Sequence, residues 1–255
     1  MEWFVGAAAA LLIAVVTAPV GVSGAVFLLP VQLSVVGVPN PSVTPTNLMF
    51  NLIATPGSLL GYRRQARFDA GLTRRLLIGT LPGVIAGAVL RVYVVPGPRA
   101  FRVVVAAVLL PLGVWLIVRT LRRGYPVRPL TDRKITGLAV AVGVVGGVYG
   151  IGGGSILGPI LVGSGLTVSV VAPAALASTF ATSAVGAATY AILSTIHDGS
   201  IAPDWSIGVA CGLGGLLGGY IGAAIQPRMP ERALRLLLGG LAIALALLYA
   251  AQVLR

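Results

Sequence analysis

Long uncharged apolar runs alternate along this chain with short clusters of arginine. No Asp, Glu, Lys or Arg lies between Glu2 and Arg63, or from Ile135 to Ile196. As one helix the first run would reach about 90 Å, roughly three times the hydrocarbon thickness of a bilayer. It must fold back, and helix breakers mark where: Pro19 to Gly24, then Gly37-Val38-Pro39-Asn40-Pro41. The pattern predicts segments at 3–20, 24–36 and 44–62, the second too short to span comfortably and interrupted by Pro30. Further segments are expected at 76–95 and 101–118, then at 135–150, 153–163 (with Pro159 inside), 171–195, 205–226 and 234–254. Pro30 and Pro159 are read as structural breaks within the two short pieces. The runs are continuous rather than alternating, which excludes a β-barrel.

Composition agrees. The 255 residues are 57% hydrophobic and 9% charged, with a mean hydropathy of +0.99; a soluble domain carries about a quarter charged residues. The expected partner surface is the lipid bilayer of a cell membrane. The net charge of +12 does not indicate nucleic acid, because the cations sit in the connections. Arg63, Arg64, Arg67, Arg74 and Arg75 surround Asp69; Arg119, Arg122, Arg123, Arg128, Arg133 and Lys134 accompany Asp132; Arg228, Arg232 and Arg235 precede the last segment. Short cytoplasmic loops carry this bias. The N-terminus has no basic stretch, so a cleaved signal peptide is not expected. The sole cysteine, Cys211, reads as a small packing residue, and the sole histidine, His197, as a solvated loop residue with no second metal ligand near it.

The halves 1–130 and 131–255 follow one plan, a broken or re-entrant helix pair and three spanning helices. After the third piece the connection is basic in the first half, whereas His197, Asp198 and Asp204 follow in the second. The expectation is an all-α, polytopic membrane protein built from two inverted repeats, with both termini outside. Arg91, Arg99 and Arg102, which flank an outer loop on this reading, run against it. Gly24-Ala25 precedes Pro30 as Gly153-Gly154 precedes Pro159, and Gly79, Gly83 and Gly87 match Gly214, Gly218 and Gly222. Small residues every fourth position let helices approach closely in lipid. The two rows are expected to serve packing and to bring their helices together at the repeat axis. Such spacing serves oligomer contacts equally well.

The organising stretch is Tyr149-Gly150-Ile151-Gly152-Gly153-Gly154-Ser155, leading to Pro159. Successive glycines disfavour helix by about 1 kcal/mol each relative to alanine. An interrupted helix at membrane depth belongs where it is buried in protein or lines a cavity. The stretch therefore predicts a half-helix whose bare N–H groups and dipole attract an anion. No acidic or basic residue lies deep in any predicted segment, so the solute would be held by neutral groups. Candidates in the second half are Gly152, Gly153, Gly154, Ser155, Ser178, Thr179, Thr182 and Ser183; those in the first are Ser23, Gly24, Gln32, Thr46, Asn47 and Asn51. Asn47 and Asn51 share a helix face, as do Thr179 and Ser183. Hydroxyls of this kind also bond the carbonyl one turn earlier.

Gly150-Ile151-Gly152-Gly153-Gly154 with Pro159, then Ala177-Ser178-Thr179, resembles the sulfite exporter TauE/SafE family. The weaker copy Gly21-Val22-Ser23-Gly24-Ala25 through Pro30 fits that family's internal duplication, with Ser-Gly-Ala in place of Gly-Gly-Gly. The resemblance implies a transporter of small sulfur anions such as sulfite or organosulfonates, with no cofactor and no enzymatic activity. A passive anion channel is the alternative. Gly21-Val22-Ser23-Gly24 also fits the serine motif of rhomboid proteases, but His197 lies in a polar loop and the second copy of the motif carries no nucleophile.

Overall fold

The computed structural model describes residues 2–39, 42–63, 69–94, 99–122, 130–196 and 202–254. His197 and Asp198 lie outside the described residues, as do the turn at 95–98 and the prolines of the central linker. The described residues form ten α-helices and no strand: α1 (Glu2–Thr17), α2 (Ala25–Ser34), α3 (Val43–Arg63), α4 (Ala70–Tyr93), α5 (Arg99–Leu121), α6 (Asp132–Tyr149), α7 (Gly154–Gly163), α8 (Val168–Ile196), α9 (Trp205–Ile225) and α10 (Glu231–Leu254). Short 3-10 turns follow α1 at Ala18–Val20 and α9 at Gln226–Arg228. Every expected segment is a helix. Among the described residues, five stretches are long and apolar enough to cross a membrane: Glu2–Val20, Ala70–Tyr93, Val168–Ile196, Trp205–Arg228 and Glu231–Val253.

Several helices begin earlier than the apolar pattern suggested. α4 starts at Ala70 because Asp69 caps it, its carboxylate accepting from Leu72 N at 2.9 Å. Arg74 and Arg75 thus lie in its opening turns, and Arg75 pairs with Asp132 at 2.9 Å. α10 starts at Glu231, whose carboxylate accepts from Val168 N at 2.9 Å and pairs with Arg235 at 2.9 Å. Charge marks where the hydrocarbon ends, whereas the cap marks where the helix ends.

α2 and α7 have ten residues each, about 15 Å of helix, half the hydrocarbon thickness. α7 is held at its far end by Arg119 of α5, which donates to Gly163 O and stacks 5.0 Å from the Trp115 ring. A cation at that carbonyl complements the helix dipole.

Packing crosses the midpoint of the chain. α4 lies along α6, α9 along both α1 and α3, and α5 along α10, while α8 touches α4 and α3. The glycine rows explain two of these contacts and correct one expectation. A Cβ on Gly214, Gly218 or Gly222 would fall 2.1, 2.2 or 2.5 Å from the carbonyls of Ala7, Leu11 and Val15 in α1. One on Gly79, Gly83 or Gly87 would fall 2.5, 2.4 or 2.1 Å from those of Thr136, Val140 and Val144 in α6. The rows do not bring α4 and α9 to each other. Each receives the first helix of the opposite half, because a glycine face lets any partner backbone approach and the spacing alone does not name the partner. Cys211 packs as expected, buried with its sulfur 2.9 Å from the place a Gly6 Cβ would take.

Gly218→Leu and Gly87→Leu should therefore destabilise the protein by at least the 1–3 kcal/mol typical of overpacking, since backbone rather than a flexible side chain blocks the new atoms. Gly137→Ala, where nothing lies within 4 Å, should be neutral or stabilising by up to about 1 kcal/mol. Thermal unfolding in detergent checks both. Equal stability of Gly218→Leu and wild type would contradict the packing described.

Candidate functional site

The two chain breaks form first from backbone conformation. Gly21 (φ 72°) ends the turn after α1, and Gly150 (φ 68°) ends α6; Gly152 is again left-handed at φ 68°. A side chain at Gly150 would fall 2.3 Å from Thr44 O, and one at Gly21 2.3 Å from Ala172 Cα. Thr44 lies in the first turn of α3 and Ala172 in the second turn of α8, so each break is seated against the N-terminal part of a helix belonging to the other half. The stretch Gly152 to Ser155 is buried throughout. It is interrupted, as expected, and packed in protein rather than against lipid.

The breaks then meet. Ser23 N donates to Ser155 Oγ at 3.1 Å, and Ser155 Oγ donates back to Ile151 O at 3.3 Å. Ser23 Oγ accepts from Ala25 N at 3.1 Å and donates to Asn51 Oδ1. The Asn51 amide donates onward to Gly150 O at 3.3 Å, and the Asn47 amide to Ala25 O at 3.0 Å. Asn51 thus joins both breaks and supplies a donor to Gly150 O, a carbonyl left open past the end of α6, while Asn47 adds a donor to Ala25 O in the first turn of α2.

α8 supplies the acceptors. Gly154 N donates to Thr179 Oγ1 at 3.2 Å and Gly153 N to Thr182 Oγ1 at 3.4 Å. The expected bare amides are therefore covered by hydroxyls. The glycines permit this: a Cβ on Gly154 would lie 2.0 Å from Ala175 O, and one on Gly152 2.5 Å from Thr179 Cγ2. α8 fills the break where the sequence suggested an open chamber. A small cavity remains beside the first break, lined by Ser23, Gly24, Thr55 and Ser58.

Ser178 lies in the same cluster through Thr80 of α4, their hydroxyls 3.0 Å apart. Sequence reasoning missed Thr80, although its place beside Gly79 in an apolar helix was the available signal. Among the described residues, Ser183 Oγ and Asn47 Oδ1 are buried with no hydrogen-bond partner. Two candidates stand apart. Thr46 donates to Ser42 O at 2.7 Å and accepts from Asp204 N at 2.8 Å, tying the start of α3 to the cap of α9. Gln32 lies beside Cys211 in α9. Pro30 and Pro159 lie inside α2 and α7, and the actual interruptions come before them, at the glycines.

The cluster is neutral: hydroxyls, two carboxamides and backbone groups around an α7 N-terminus. It can donate several hydrogen bonds to an oxyanion once Thr179 and Thr182 cease to accept from the amides. Thr179→Val should leave Gly154 N without an acceptor and cost about 1–3 kcal/mol, while Thr179→Ser keeps the bond and most of the stability. Thermal unfolding separates them, and indifference to valine would show that the hydroxyl is not holding the break.

A model of the sulfite exporter TauE/SafE family matches residues 6–249. No curated protein and no solved structure matches the chain.

Proposed function

We propose, because this chain belongs to the sulfite exporter TauE/SafE family and is thus a multi-pass membrane transporter, that it exports a small sulfur oxyanion or organosulfonate bound where the two breaks cross. The observation that carries the reading is the pair of α7 amides, Gly153 N and Gly154 N, accepted by hydroxyls that can rotate. An arriving oxyanion takes over as acceptor. Thr179 and Thr182 then become donors to it, and Ser23, Ser178, Ser183 and the asparagines complete a neutral shell. Anions bind at helix N-termini in this manner without a fixed positive charge.

Residues 1–130 and 131–255 act in this reading as inverted repeats with both termini outside. The exchange of first helices supports it: α1 lies on α9 as α6 lies on α4. A site at the repeat interface, near the middle of the membrane, is where such carriers hold their solute.

The neutral shell also bears on energetics. The potential contributes about 2.3 kcal/mol per charge per 100 mV, and an interior-negative cell drives an anion outward. Export then needs no coupling proton, and the cluster offers no carboxylate to carry one.

In proteoliposomes with equal pH on both sides, sulfite efflux should accelerate when a potassium diffusion potential makes the lumen negative. Flux that ignores the potential and follows a pH gradient at clamped voltage would overturn the proposal. Unitary currents in a planar bilayer would replace the carrier by a channel.

A further inference from the structure

Two side chains outside the polar cluster hold matching positions. Tyr62, near the end of α3, is 2% exposed, and its hydroxyl donates to Ala18 O at 2.6 Å. Tyr190, near the end of α8, is 2% exposed, and its hydroxyl donates to Gly147 O at 2.9 Å. Ala18 lies just ahead of the left-handed Gly21, whose N–H it also accepts at 3.0 Å; Gly147 lies just ahead of the left-handed Gly150. Each tyrosine therefore grips the backbone entering one break.

Each also lines a cavity on the seam between α3 and α8. The Tyr62 cavity, about 460 Å³, is walled by Pro56 and Leu59 of α3 and by Pro173, Ala177 and Phe180 of α8. The Tyr190 cavity, about 220 Å³, is walled by Pro45 and Met49 of α3 and by Ala187 and Ala191 of α8. The first joins the end of α3 to the start of α8, and the second joins the start of α3 to the end of α8. The helices run antiparallel, with a cavity at each end of the seam and Asn51, Ser178 and Thr179 at intermediate positions.

We propose that Tyr62 and Tyr190 are paired gate residues for transport, each closing the cavity at its end of the α3–α8 seam to the polar cluster by holding the backbone ahead of one break. The proposal rests on the transport reading. The latch is a single neutral hydrogen bond, weak enough in net terms to open and reclose thermally. The cavity walls are almost wholly apolar, and apolar constrictions gate by excluding water. A cation stands near each end: Arg63 borders the Tyr62 cavity, and Arg91 of α4, itself buried, is close enough to Tyr190 to act on it electrostatically.

Single cysteines test this in a Cys211→Ala background reconstituted in liposomes. Ala177→Cys reports the Tyr62 cavity, and Ala191→Cys the Tyr190 cavity. A membrane-impermeant methanethiosulfonate should modify each from one face only, and from opposite faces. Tyr62→Phe should raise the rate at Ala177→Cys roughly two- to tenfold, the range set by one hydrogen bond, without raising that at Ala191→Cys; Tyr190→Phe should do the reverse. Unchanged rates with a lowered unfolding temperature would make the tyrosines structural pins and overturn the proposal. So would equal rises at both cysteines, or no reaction at either. Labelling requires no transported solute, so the expected rates in a protein that moves no sulfur oxyanion would overturn the substrate reading and leave the gates standing.

Discussion

A backbone amide or carbonyl in lipid must find a partner inside the protein, and two interrupted helices create several that lack one. A central group of buried polar side chains answers that demand. Asn47 and Asn51 donate to carbonyls at the breaks, Thr179 and Thr182 accept from amides, and Ser23 and Ser155 tie one break to the other. Hydroxyl and carboxamide groups suit the task because they satisfy neutral backbone without burying a charge, which costs far more. The same neutrality leaves a set of donors able to face an anion.

Close approach is the second requirement, and glycine meets it. α8 reaches the break because residues 152 and 154 have no side chain, and α1 and α6 reach the opposite halves because α9 and α4 present bare faces. The helices are consequently interleaved across the midpoint, so neither half encloses its own break. A solute held at the crossing would touch both halves, and relative movement of the two is the natural way to expose it.

Much of this was legible in the chain. Uncharged runs and their breakers located the ten helices of the described residues, since the bilayer fixes segment length and glycine fixes the interruptions. The triple glycine lies at a buried interruption of the helices, and Thr179 and Thr182 bond its amides. Less legible was anything that depends on which helix faces which. The glycine rows point to α6 and α1, not to each other, and no single-sequence pattern distinguishes those partners. Thr80 enters the cluster only because α4 meets α8 there. Residue type alone also does not show that Thr46 bonds the cap of α9 or that Gln32 lies beside Cys211 of α9. The covering of Gly153 N and Gly154 N by hydroxyls was equally hidden, as it depends on the rotational setting of α8.

The account stands or falls on whether those amides receive a negative solute. Crystals grown with selenite, an isosteric oxyanion of sulfite, would locate it through the anomalous signal of selenium. The prediction is a peak within hydrogen-bonding reach of Gly153 N and Gly154 N, with the side chains of Thr179 and Thr182 turned to donate. Peaks confined to the arginine clusters at the membrane edge, with both amides still covered by threonine, would contradict it.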